Sequence, residues 1–93
     1  MPSLSRRFVA ELIGTFALVF FGGSASIAAA YPGSGVGLTG VAIGHGIVLA
    51  IGVSATMHIS GGHLNPAVSL GFFVVRRIDA RTFAVHVAAQ VLA

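Results

Sequence analysis

Cysteine and lysine are absent, and the acidic residues number two, Glu11 and Asp79. Without cysteine there is no disulfide, no thiolate chemistry and no cysteine-ligated metal, and the redox compartment leaves no trace. Charge of either sign is scarce: charged residues make up 8% of the 93 residues and hydrophobic ones 56%. Mean hydropathy is +1.00. From Leu12 to Val75 there is no Lys, Arg, Asp or Glu. A soluble domain of this size could not cover so much apolar surface with so few charges. The chain reads as an all-α, multi-pass integral membrane protein whose solvent is the lipid bilayer. The sequence pI near 11.4 reflects missing acids. The arginines edge the apolar runs instead of lining a polar face with aromatics for base stacking, so no nucleic-acid partner is expected. No enzyme is expected either, for want of a nucleophile–base–orienter set, an acidic pair or a phosphate loop.

What is present is long apolar runs and glycine, 13 residues of it. The run Phe8 to Ala30 follows Arg6 and Arg7 and is long enough for one span, since a 30 Å hydrocarbon core needs about 20 helical residues. It exceeds a signal-peptide core and carries Glu11, which argues against a cleavable leader. "YPGSGVGLTG" (Tyr31 to Gly40) reads as a loop. A second span follows over about 40–58, with Gly40, Gly44 and Gly52 forming a small-residue stripe for close packing.

The segment over about 59–76, "HISGGHLNPAVSLGFFVVRR" with its flanks, behaves differently. Asn65 followed by Pro66 is a helix-start signal, an N-cap and then proline at the first helical position. The helix it opens meets Arg76 after ten residues, about 15 Å, or half a bilayer. It cannot span. The positive-inside rule puts Arg6 and Arg7 in the cytoplasm, and a segment that dips in and returns brings Arg76, Arg77 and Arg81 to that side as well. The expected structure is therefore two full spans, a re-entrant half-helix, and a partial span over about 80–93 that is too short to cross. A terminal carboxylate near mid-bilayer would be costly, so the sequence has the form of a fragment.

Non-helical backbone at membrane depth is tolerated only inside protein or beside a water-filled cavity. Carbonyls from about Gly61 to Leu64, with Gly62 and His63 between them, would offer acceptors to a passing polar solute. Asn65 can cap the half-helix with its carbonyl and keep its NH₂ free to donate. The positive dipole end of that helix disfavours cations and protons. Passive conduction of small neutral molecules follows as the expected function. The competing class is a non-conducting membrane anchor or assembly fragment.

"SGGHLNPAVSLG" (Ser60 to Gly71), with "AELIGTFALVFFG" (Ala10 to Gly22) upstream, resembles the amino-terminal half, or first repeat, of an aquaporin, the major intrinsic protein family. The resemblance runs from about Phe8 to Ala93. It implies two inverted repeats whose Asn-Pro-Ala half-helices meet at mid-membrane, a homotetramer at full length, a plasma-membrane location and an amino terminus in the cytoplasm. Asn65, Pro66 and Ala67 match the first Asn-Pro-Ala motif. Glu11 matches a first-helix glutamate that braces the re-entrant loop, and His63 matches the histidine that holds that loop. His45 matches the second-helix position of the aromatic/arginine constriction, and Gln90 a supporting third-helix glutamine. The resemblance implies water as the permeant, with glycerol, urea or ammonia as further small neutral solutes. The second repeat and its arginine are missing from this chain, so it implies a partner half.

Position alone leaves His45 open between an interhelical contact and pore lining, and His86 open between a packed core and a pore-adjacent residue. His58 reads as an interfacial or loop residue. His58 and His63 are five apart across a Gly-Gly spacer and share no helix face, so no metal and no cofactor are expected.

Overall fold

The computed structural model describes residues 2–93, which form four helices and no strand. Helix α1 runs Leu4–Ala30, α2 Gly37–Ser60, α3 Pro66–Val74 and α4 Ala80–Leu92. The first two are long and apolar enough to cross a bilayer. They pack side by side as an antiparallel pair, with Ser60 beside Glu11 at one end and Gly44 facing Ala25 at the other. The molecule is 47 Å long, enough to exceed a hydrocarbon core of about 30 Å.

Helix boundaries follow local chemistry. Ser3 caps α1 by accepting the Arg6 N–H, so the helix begins before the apolar run and takes Arg6 and Arg7 into its first turns. The connection to α2 is shorter than the glycine-rich stretch suggests. A turn closed by Ser34 N–H to the Tyr31 carbonyl reverses the chain quickly, and helix resumes at Gly37. The expected loop through Gly40 and the span limits of 40–58 are therefore corrected to Gly37–Ser60. At its far end α2 runs on to Gly61, whose left-handed φ of 93° closes the helix with an N–H to the Met57 carbonyl. His58 consequently stands exposed in the last turn of α2, and the loop itself shortens to 61–65.

Asn65 caps α3 through a hydrogen bond from the Ala67 N–H at 2.8 Å, and Pro66 occupies its first turn. Nine residues make α3 roughly 14 Å long. It ends at Arg76, which adopts φ 61°, with Arg76 and Arg77 N–H groups returning to the Phe73 and Phe72 carbonyls. Helix α4 then runs antiparallel to α3: Phe73 stacks on Phe83 at 4.8 Å, and Ser69 accepts a hydrogen bond from Gln90 farther along. After the loop, α3 and α4 thus form an antiparallel helical hairpin.

Asp79 caps α4, accepting the Thr82 N–H at 2.7 Å. The Thr82 side chain and then its N–H hold the Asp79 carboxyl below its ordinary value of 3.8, with Arg81 and Arg7 adding to the effect. A depressed carboxyl stabilises the fold above the ordinary value and loses that contribution as pH falls through the folded one. The Thr82 amide resonance in detergent is expected to titrate with a midpoint below 3.8 and to stop titrating in Asp79→Asn. A midpoint at or above that value would show that the cap does not hold the carboxylate.

Candidate functional site

Where α1, the loop, α3 and α4 converge lies the most polar part of the interior. Glu11 is completely buried there. Each of its carboxylate oxygens accepts two hydrogen bonds. Oε2 takes the Ser60 hydroxyl at 2.5 Å and the His63 N–H at 3.1 Å. Oε1 takes the Leu64 N–H at 2.9 Å and the Gln90 Nε2 at 2.7 Å. A carboxylate out of water requires such donors. Two come from consecutive loop amides, so Glu11 holds the loop by its backbone.

A second ring of contacts backs the first. Ser69, buried on α3, accepts from Gln90 at 3.0 Å and sits 2.8 Å from His63 Nδ1. His86 Nδ1 lies 3.0 Å from the same His63 nitrogen, so a proton sits on one of the two and a lone pair on the other. Phe72 stacks on the His63 ring at 4.5 Å. Glu11, His63 and His86 present ligand-type atoms within 4.8 Å of one another. Those of Glu11 and His63 already face hydrogen-bond partners, and the arrangement is a polar network in which His86 Nε2 is buried without a partner among the described residues.

Backbone conformation shapes the loop. Gly61, Gly62 and Leu64 all have positive φ, at 93°, 66° and 54°. At Gly62 a Cβ would come within 3.2 Å of the Val53 Cα and carbonyl oxygen, so the loop lies directly on the backbone of α2. Leu64 tolerates its left-handed conformation because its side chain is anchored, only 2% exposed, between Gly14 and Gly52. With the His63 and Leu64 N–H groups turned inward to Glu11, no donor among the described residues reaches the carbonyls of Gly61, Gly62, His63 or Leu64. Asn65 follows, exposed, with its Oδ1 used by the cap and its NH₂ free. Pro66 and Ala67 are exposed beside it.

The structure therefore gathers Glu11, Gly61, Gly62, His63, Leu64, Asn65 and Gln90 into one assembly and leaves His45 apart. His45 donates Nδ1–H to the Val41 carbonyl at 2.9 Å and lays its ring against Gly22 of α1. His86, which sequence position left open, belongs to the buried network. Ser60 and Ser69 were not anticipated. The usable signal was chemical: a buried carboxylate in a charge-free run must find neutral donors, and these serines flank the loop.

A family profile described as Major intrinsic protein matches residues 1–93, the whole chain. The chain belongs to that family. Among curated members, Aquaporin TIP4-4 of Zea mays is 50% identical over 92 residues, covering 94% of this chain and 36% of the relative. Aquaporin Z of Rhodopseudomonas palustris is 46% identical over 89 residues, covering 95% and 37%. Aquaporin Z of Photorhabdus laumondii is 43% identical over 88 residues, covering 94% and 38%. The chain thus spans a little over a third of the length of these major intrinsic proteins. No solved structure matches significantly. Family membership and the two apolar helices together make this a membrane protein.

Proposed function

We propose that this chain forms one half of a passive transmembrane channel for water and small neutral solutes such as glycerol, urea or ammonia. The observation that carries the reading is the loop anchored on Glu11. It turns the His63 and Leu64 amides inward, leaves four successive carbonyls without donors among the described residues, and ends at a short helix whose capping Asn65 uses only its Oδ1 in the cap. Acceptors followed by a donor form a relay for a solute that can both give and take hydrogen bonds. The positive end of the α3 dipole stands where they meet and opposes cations.

Asn65 with Pro66 and Ala67, the carbonyls of Gly61, Gly62, His63 and Leu64, and the His45 side chain line the path in this reading, while Glu11 and Gln90 brace it. A second repeat supplies the opposite wall, and four such channels assemble as a homotetramer in the plasma membrane with the arginine-rich end in the cytoplasm. Vesicles carrying the protein, expressed from its full coding sequence, are expected to swell under an osmotic gradient faster than empty ones. Swelling at the lipid baseline would favour a non-conducting anchor or assembly fragment. His45→Phe enlarges the ring and removes its bond to Val41. It is expected to lower glycerol and urea flux several-fold while leaving water flux largely intact. Unchanged solute selectivity would remove His45 from the path.

A further inference from the structure

Gly22 has no assigned part in this site, yet its missing side chain determines where His45 can lie. A Cβ at position 22 would stand 2.6 Å from both Cδ2 and Nε2 of the His45 ring. The imidazole occupies the space a side chain on α1 would fill. Its other edge is fixed by Nδ1–H donation to Val41 one turn back. The ring is thus folded against the α1–α2 seam.

The placement of this pair connects it to the braced loop. Eleven residues bring Gly22 back to nearly the same face of α1 as Glu11, and seven bring His45 to the same face of α2 as Gly52. Glu11 bonds the loop, and Gly52 abuts Leu64 within it. The two faces that hold the re-entrant loop therefore continue to Gly22 and His45, about 10 Å farther along α2.

We propose that Gly22 is a specificity-determining positioning residue: by accommodating the His45 ring it widens the solute path at that level. The inference rests on the reading of His45 as path-lining. An alanine at 22 displaces the ring by roughly 1 Å to restore van der Waals separation, and the ring can move only away from α1. The substitution itself favours helix, so α1 is not weakened by it.

The test compares Gly22→Ala, His45→Ala and the double variant in vesicles, reading glycerol and urea uptake against osmotic water flux. Gly22→Ala is expected to lower the solute-to-water ratio several-fold. The double variant is expected to restore it, because the displaced ring is gone. If Gly22→Ala leaves the ratio unchanged while His45→Ala alters it, Gly22 does not position the ring and the inference fails, though His45 still lines the path. If neither single variant alters the ratio, the path-lining reading fails and takes the inference with it. Should Gly22→Ala fail to assemble, recovery of assembly in the double variant supports the steric account. Continued failure overturns it.

Discussion

Glu11→Leu is expected to abolish assembly of the loop at 61–65. Leucine approximates the volume but accepts nothing, so the Ser60 hydroxyl, the His63 and Leu64 amides and the Gln90 side chain all lose an acceptor at once. A buried donor left without a partner costs about 1–3 kcal/mol, and several together approach the whole stability of a small fold. Glu11→Gln should fall between wild type and leucine. One amide oxygen still accepts two of the bonds, while the new NH₂ faces a pair of donors. Yield of monodisperse protein in detergent, with protease resistance of the loop at 61–65, measures both variants. Equal loss of assembly in the two would overturn the hydrogen-bond account of the brace.

The next largest effect is expected at Gly62. Alanine there must hold φ near 66°, a conformation that costs an L-residue about 1–2 kcal/mol. Its Cβ must also fit 3.2 Å from the Val53 Cα, Cγ1 and carbonyl oxygen, and the backbone of a packed helix cannot withdraw as a side-chain tip can. The loop would lift from α2 and draw the His63 and Leu64 amides away from Glu11. Gly62→Ala should therefore lower both the thermal midpoint and water flux. The contrasting variant is Gly23→Ala, where a Cβ meets nothing within 4 Å and helix propensity improves. Equal losses in the two variants would mean that Gly62 acts through general helix packing and not through the loop.

Much of this protein was legible in order along the chain. The charge-free run from Leu12 to Val75 required lipid, and its interruption by glycine and proline divided it into helices. The Asn65-Pro66 pair marked the start of α3, and Arg76 marked its end. These signals are local, because capping and helix length depend on residues within a few positions. The limits that moved, at Gly37 and Ser60, lie beside glycines. There composition marks a turn but leaves open which glycine adopts the left-handed conformation at the helix boundary, Gly37 where α2 begins and Gly61 where it closes.

Nothing local could reveal which groups meet. A buried Glu11 predicted that donors must be found, and the family resemblance brought His63 and Gln90 toward it. Ser60 entered the network only when the structure placed it within hydrogen-bond distance of Glu11, 49 positions away, and Ser69 and His86 entered through Gln90 and His63, 21 and 23 positions away. The same holds for Gly14, Gly22, Gly52 and Gly62, whose importance lies in what approaches them: Leu64, His45 or the Val53 backbone. Hydropathy and capping act within one segment, so the apolar solvent, the two long helices and the short α3 could be read along the chain. The hydrogen-bond partners could not, because a donor and an acceptor far apart in sequence are joined by how the helices pack.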